Sequence, residues 1–515
     1  MKNIFLLLIF SFSVSLKAQN YIPDPSFGGT GTVVTNYNMY YDNDQAPRNV
    51  FFENNKYIFT QKTQVSCFSY DGNVDYTFGT LGYSRIIIPN CQPASITIKS
   101  SKIINNTIFV YGKSYDSNTN LFYGFIAKMN IDGVIDTTFG NNGIVTVTIG
   151  TTSNNPYSDG ITDVVFKNGN YFGIGSVFYM DANSIYRRNI FTVKLNANGI
   201  IDLTNDPTGM KKINSIDGHE AVNIYEHQGD LLIIGHITNN NSGNEDSLTI
   251  LKIDDSGNLI PTFGVNGVKK IPLSPSGWQT GESFNNCRLT GDDVYILRTY
   301  FLYSNVVQKI QKVNITNLNT TDISVTNNNS IVTYVIDSDK IYIIGCLSTC
   351  PNDFNIIRRN VDGTLDNTFN QTGTYNYDFP PPNSFTTTYD SATVLVKDVN
   401  NALLIGGYTS TQFDTTAPYR GFAMLRIQDE TLSTKDLGMG RLLLSPNPVQ
   451  TILNIANPNG ISIDDISIYD VLGKIVYYSA TPPDKINLET LKEGLYFVKI
   501  NRGNTNERFK IIKRN

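Results

Sequence analysis

Three histidines and a scatter of carboxylates are the side chains of this 515-residue chain whose chemistry has to be weighed first. His219, His227 and His236 stand close together in sequence, and imidazole nitrogens are common zinc ligands. His227 falls in a polar turn and His219 precedes a strand, so the three lack the i, i+4 pairing of a helix face, and no metal site is assigned. Asp24, Asp75, Asp136 and Asp366 invite a reading as paired catalytic acids. Each recurs at the same place in a local motif, where an Asp side chain satisfies nearby backbone N–H groups and a Gly takes positive φ. That is a scaffold role. No Gly-x-Ser-x-Gly elbow, phosphate loop or Cys-His nucleophile pattern occurs, so no catalytic residue is assigned and no cofactor is expected.

The elements that must position any site are repeats. Asp24-Pro-Ser-Phe27-Gly28-Gly-Thr-Gly31 returns as Asp75-Tyr-Thr-Phe78-Gly79-Thr-Leu-Gly82 and as Asp136-Thr-Thr-Phe139-Gly140-Asn-Asn-Gly143. Phe263-Gly264-Val-Asn-Gly267, Asp366-Asn-Thr-Phe369-Asn370-Gln-Thr-Gly373 and residues 202–209 are decayed copies. Their spacing of about 50 to 65 residues marks an array of one supersecondary unit. Within a unit, residues 220–225, 230–236 and 247–253 read as three strands. The turn Asp255-Ser-Gly257 then leads into the glycine motif, as Asp71-Gly72, Asp132-Gly133, Asn198-Gly199 and Asp362-Gly363 do elsewhere.

The second strand occurs seven times, and the third also occurs seven times, ending at residues 421–427, where no glycine motif follows. The missing fourth strand stands alone at the amino terminus, in residues 24–34. Pairing it with the last three strands would leave no open edge. The fold expected is therefore all-β: a seven-bladed β-propeller over residues 21–428, closed by its amino-terminal strand and followed by a small carboxy-terminal β-sandwich.

Function is expected where the repeats differ. Twelve residues before the second strand stand Gln45, Asp159, Glu220, Glu282, Asn329 and Asp390. First strands line a propeller's channel, so these side chains would ring one mouth. Four of the six are acidic and would suit a cation or several sugar hydroxyls; a water-filled, neutral lining is the plain alternative. Trp278, in Pro275-Ser-Gly-Trp278-Gln-Thr-Gly281, and Tyr389 would add an aromatic platform. Two function classes follow. One is a non-catalytic surface module for glycan, protein or ion, and the other a carbohydrate-active hydrolase or lyase using two rim carboxylates at glycosidase separations.

The repeat unit, with its Arg/Lys-Leu-Asn-x-Asp-Gly turn and Asp-x-x-Phe-Gly-x-x-Gly motif, resembles the delta-60 repeat of bacterial exported and surface proteins. That resemblance implies a propeller-like array and a surface location, and no established activity. Residues 429–440 read as a polar linker. Residues 441–515 then carry Pro446-Asn447-Pro448, Tyr469-Asp470-Val-Leu-Gly473-Lys474 and Gly494-Leu-Tyr496. In that order these motifs resemble the type A C-terminal sorting domain of type IX secretion, although Ser445 replaces a frequent aromatic. The resemblance implies recognition by an outer-membrane translocon, then release or attachment to cell-surface polysaccharide.

Residues 1–18 read as a signal peptide: an early Lys2, an apolar run over residues 4–10 and Leu16-Lys17-Ala18 before the cut. No later run is long and apolar enough to span a bilayer. Losing Lys2 and Lys17 takes the formal charge from -5 to -7, which is no nucleic-acid footprint. The 30 Tyr, 28 Phe and only 17% charged residues suit an extracellular β protein. Cys67, Cys91 and Cys287 read as small buried hydrophobes, while Cys346 and Cys350 are spaced to close a local hairpin disulfide. The extracellular ligand is left unassigned.

Overall fold

The computed structural model describes residues 19–35, 46–151, 160–180, 186–204, 206–213, 219–237, 247–272, 282–302, 305–327, 330–346, 353–380, 390–411, 419–429, 443–445, 449–456, 462–471, 473–502 and 505–514. Two compact units divide the chain, Met1–Leu432 and Ser433–Asn515. Residues 1–18, with the expected signal peptide, lie outside the described set.

The described residues of the first unit form seven antiparallel sheets and one 3-10 turn, Pro93–Ser95. Sheet 1 is Asn49–Glu53, Lys56–Thr60, Gln64–Ser69 and Tyr83–Arg85. Sheet 2 is Thr97–Ile104, Thr107–Asp116, Leu121–Asn130 and Ile144–Thr151; sheet 3 is Gly160–Lys167, Asn170–Met180, Tyr186–Asn196 and Lys211–Lys212. Sheet 4 comprises His219–His227, Asp230–Ile237, Ser247–Ile253 and Val268–Pro272, and sheet 5 Glu282–Thr290, Asp293–Leu302, Asn305–Asn314 and Thr320–Asn327. Sheet 6 contains Ser330–Asp337, Lys340–Cys346, Phe354–Asn360 and Thr374–Tyr377. In sheet 7, Asp390–Lys397, Leu403–Thr411 and Tyr419–Asp429 are joined by two amino-terminal strands, Tyr21–Pro23 and Thr32–Thr35, which both pair with Tyr419–Asp429.

Local chemistry explains the hairpins. Asn54-Asn55, Asn105-Asn106, Asn168-Gly169 and Gln228-Gly229 join first to second strands with both residues at positive φ, the turn whose twist matches that of paired strands. Second strands are buried on both faces, as at Leu231, Leu232, Ile233 and Ile234. They have apolar layers on either side because each sheet packs between its neighbours. Seven apolar clusters lie between successive sheets. One joins Ile58 and Val65 to Ile98 and Val110, and another, at the seventh junction, joins Phe422 and Met424 to Phe59 and Phe68. The first strands likewise touch their neighbours in order, with Asp390–Lys397 of sheet 7 against Asn49–Glu53 of sheet 1.

The repeated glycine motif is a turn, as its Asp and Gly residues imply, and this shortens the fourth strand expected over residues 24–34. Gly28, Gly79 and Gly140, then Gly31, Gly82 and Gly143, all have positive φ, so the fourth strand begins only afterwards, at Thr32, Tyr83 and Ile144. The motif stitches one sheet to the next. Amides of Gly28, Gly79 and Gly140 donate to the carbonyls of Asp71, Asp132 and Asn198, at 2.8, 2.8 and 2.7 Å. The preceding Phe fills the space over the next sheet's turn glycine: a Cβ on Gly133 would lie 2.5 Å from the Phe78 ring. Replacing Gly133 with Ala is therefore expected to cost about 2–4 kcal/mol, from the left-handed backbone and the displaced ring together. Gly169→Ala, where a Cβ meets nothing within 4 Å, should show only the smaller backbone cost in the same urea titration.

The second unit has a three-stranded sheet, Leu443–Ser445, Ile452–Ala456 and Lys485–Asn487, and a four-stranded one. The latter runs in the order Ile475–Ser479, Asp465–Tyr469, Gly494–Arg502, Thr505–Lys513. Leu453, Ile455 and Ile486 from the first share one core with Ile466, Ile468, Val498, Ile500 and Ile511 from the second.

Candidate functional site

First strands hold three of the six positions singled out by spacing. Glu220, Glu282 and Asp390 stand at the start of the first strands of sheets 4, 5 and 7, opposite His236, Tyr300 and Thr409 of the second strands. Gln45, Asp159, Trp278, Asn329 and Tyr389 lie outside the described residues, as does the side chain of Glu282. Glu220 is engaged from two sides, by an ion pair with Arg188 of sheet 3 and by His236 Nε2 at 3.5 Å. Asp390 is 3% exposed and accepts the Phe379 amide at 2.9 Å, tying the end of sheet 6 to the start of sheet 7. Burial, and then the charges of Asp378 and Asp390, push the Asp353 carboxyl above its usual range. Among the described residues, no group of three or more His, Cys, Asp and Glu side chains is placed to hold a metal ion.

Deeper along these strands, six of the seven carry a register shift one turn of the pleat from the start, for example between Ile161 and Asp163 and between Ala221 and Asn223. Bulges re-aim side chains, and here polar groups bridge every junction between successive sheets. Asn49 Nδ2 donates to Ser101 O (2.9 Å), Lys102 pairs with Asp163 (2.7 Å), and Asn223 Nδ2 donates to Asp163 (3.1 Å). Tyr225 OH donates to Cys287 O (2.7 Å), Asn286 Nδ2 to Thr333 Oγ1 (2.5 Å) and Thr393 Oγ1 to Pro47 O (2.8 Å). Lys397 pairs with Asp337 at the remaining junction.

The recurrent aspartates are consumed locally. In Asp136 one carboxylate oxygen accepts the Thr138 amide (3.1 Å) and hydroxyl (2.6 Å), and the other meets Lys128 at 2.9 Å. The Thr138 hydroxyl and Lys128 hold that carboxyl below its usual range. Asp202 with Thr204 and Lys194, and Asp366 with Thr368 and Arg358, repeat the arrangement. In each case the base stands eight residues before the acid, a signal visible in the sequence that the turn-capping reading overlooked. At the amino terminus Asp24 has no such predecessor and is held by Arg426 at 2.5 Å instead.

One junction departs from the pattern. Between sheets 3 and 4 the sequence has Asn205 where other motifs have Phe. A shallow cleft with room for about 20 Å³, partly open to solvent, lies there between Phe172, Lys194, Asp202, Lys211 and Gly257. Its acids are already partnered: Asp202 by Lys194, and Asp255 by Lys167 and Asn168.

Cys67 and Cys287 are buried and Cys91 is half-buried, all three free, and burial pushes the Cys67 and Cys287 thiols up to about 12. Cys346 ends a strand, but its side chain and all of Cys350 fall outside the described residues.

In the second unit the Tyr469-Asp470…Gly473-Lys474 motif is a tight turn. Asp470 accepts the Gly473 amide on its carbonyl (3.0 Å) and the Lys474 amide on its carboxylate (3.0 Å), and Gly473 has φ +81°. Tyr496, in the Gly494 motif, is buried in the core and donates to Lys492 O at 2.8 Å. Pro446, Asn447 and Pro448 lie outside the described residues. Val449 follows them into the core and is clasped by the carboxy-terminal strand through Ile512 O and the Arg514 amide, both at 2.8 Å.

Residues 444–514 match the secretion system C-terminal sorting domain. The tail is thus a type IX sorting signal, and it directs the chain to the cell surface or extracellular space. No helix among the described residues is long and apolar enough to cross a membrane. No curated protein sequence matches the chain. Among solved structures, the extracellular domain of a hybrid two-component system from B. thetaiotaomicron is similar at 13% identity and TM-score 0.43, over 97% of this chain and 60% of that one. PorZ, a surface component of the type IX secretion system of Porphyromonas gingivalis, is similar at 7% identity and TM-score 0.18, over 92% and 82%. The polysaccharide lyase Uly1 is similar at 11% identity and TM-score 0.42, over 81% and 98%. At such identities and scores these resemblances assign no activity.

Proposed function

We propose that this chain is an exported seven-bladed β-propeller of delta-60-like repeats, residues 21–428, followed by a β-sandwich sorting domain, residues 441–515. Residues 1–18 act as its signal peptide, and the type IX translocon recognises the tail. Outside the cell it is a non-catalytic binding module that meets glycan, protein or ion at the channel mouth. The observation that carries this reading is the unbroken succession of junctions: seven sheets, seven interposed apolar clusters, and a polar bridge between each pair of neighbouring sheets. The recurrent carboxylates support the non-catalytic role, being held by their own Thr and Lys or Arg partners and so unavailable for chemistry.

A carbohydrate-active hydrolase or lyase is the second reading, and Asp353 favours it. Burial and the neighbouring Asp378 and Asp390 shift that carboxyl upward, the direction in which general acids are tuned. A glycan array and a polysaccharide-degradation assay on the protein without residues 441–515 separate the two, since binding without product is expected. Glu220→Gln combined with Glu282→Gln should weaken that binding at least about tenfold, as charged hydrogen-bond partners are lost. Unchanged binding would remove the rim from consideration.

A further inference from the structure

The four-stranded sheet of the second unit has an outer face that an antiparallel sheet would ordinarily fill with polar residues. Ile466, Ile468, Val498 and Ile500 point to the core, and cross-strand pairing fixes what lies opposite. Ile475 pairs with Tyr469, Tyr469 with Phe497, and Leu495 with Ile512. Tyr478 pairs with Ser467, and Ser467 with Lys499. The face therefore carries an apolar stripe that steps from Tyr478 and Ile475 through Tyr469 to Phe497 and on to Leu495 and Ile512, with Lys510 opposite Phe497; Tyr478 is 59% exposed, Ile475 52%, Phe497 45% and Ile512 38%. Contiguous exposure of this kind marks an interaction surface. Charge says what kind. The second unit carries eleven Lys and Arg against eight Asp and Glu, whereas the chain as a whole is -5, and Lys499 borders the stripe while Lys474 closes the turn beside Tyr469.

We propose that this outer face, centred on Tyr469 and Phe497, is the surface by which the sorting domain docks onto an apolar, acid-rimmed protein of the type IX machinery. A second copy of the chain is the poorer occupant, because pairing two such faces brings lysines together. The motif thereby divides its labour: Tyr496 builds the core, and Tyr469 belongs to the contact. This rests on the reading of the tail as a sorting signal.

The test uses the full-length chain in a bacterium that possesses type IX secretion, with surface display measured by protease accessibility. Ile475→Thr, Tyr478→Thr and Phe497→Thr together keep strand-forming residues, and display is expected to fall at least about tenfold, as loss of aromatic anchors does at interfaces. The melting temperature of the purified chain should move by no more than about 2 °C. Ile87→Thr, Val265→Thr and Val399→Thr, which are still more exposed and lie in the first unit, should leave display unchanged. Normal display of the stable triple variant overturns the proposal. Should that variant be unstable, Lys474→Glu with Lys499→Glu decides: reduced display supports the docking face and normal display overturns it. Normal display after deletion of residues 441–515 would instead overturn the sorting role itself. A dimer of the purified full chain that the triple variant abolishes would assign the face to self-association and also overturn the proposal.

Discussion

Arg426→Met is expected to destabilise the first unit by about 3–5 kcal/mol, the usual consequence of removing one partner from a buried ion pair. Arg426 is 1% exposed and reaches Asp24 at 2.5 Å and Asp398 at 2.6 Å, with its guanidinium 3.9 Å from the centre of the Tyr70 ring. Tyr57 OH donates to the same Asp398 at 2.9 Å. One guanidinium thus joins the amino-terminal strands, the last sheet and the first sheet. Burial pushes the Asp398 carboxyl upward even with these partners, so without the arginine two carboxylates would be left in an apolar enclosure. The loss should be local at first. Hydrogen exchange should accelerate in the amides of Tyr21, Ile22 and Thr32–Thr35, whose strands pair only with Tyr419–Asp429, before it does in sheets 3 to 5. Uniform acceleration, or none, would count against Arg426 as the fastening of the amino-terminal strands to the last sheet. Replacing Arg426, Asp24 and Asp398 together by apolar residues of similar volume should recover much of the loss, because no charge is then left unpaired.

Asp163→Ala should cost a comparable amount, about 3–5 kcal/mol, for a related reason. The carboxylate is 0% exposed and serves three sheets. It pairs with Lys102 at 2.7 Å, accepts Tyr111 OH at 3.0 Å, and takes Asn223 Nδ2 and the Ile224 amide at 3.1 Å each. It also accepts the Val164 amide at 2.8 Å. Alanine would remove the acceptor of all five donors at once, leaving Lys102 only its bond to Val164 O at 2.9 Å. Asp163→Asn keeps the shape, loses the charge and retains one acceptor oxygen, so its urea midpoint should fall between those of wild type and Asp163→Ala. If the alanine variant unfolds with the wild type, the polar belt along the first strands contributes nothing and the apolar clusters alone hold the sheets together.

Much of the architecture was legible in the residues because it repeats. The strands of sheet 4 follow the periodic reading of residues 220–225, 230–236 and 247–253 to within a few residues. The type IX tail was legible through the order of its motifs. The Asp-capped turns with glycine at positive φ were legible too, but the fourth strand, read as residues 24–34, starts only at Thr32, because periodicity said where each unit ended and not where pairing resumes after the turn. Glu220 was read as a rim acid, and sequence spacing could not show Arg188 and His236 arriving beside it from two other strands.

The pairing of the amino-terminal strands with the last sheet shows most clearly how the two levels divide. Sequence by itself determined that a unit was missing one strand at one end and had it spare at the other, because covalent order preserves the phase of a repeat. It also contained the partners: Arg426 has no acid eight residues later, and Asp24 has no base eight residues earlier. Only the tertiary structure decided that these two meet, with Asp398, Tyr57 and Tyr70 around them. The physical reason is that local turns and strand periods are set by neighbouring φ and ψ angles. A buried charge, by contrast, is stable only where the fold assembles its counter-charges, and these come from opposite ends of the first unit.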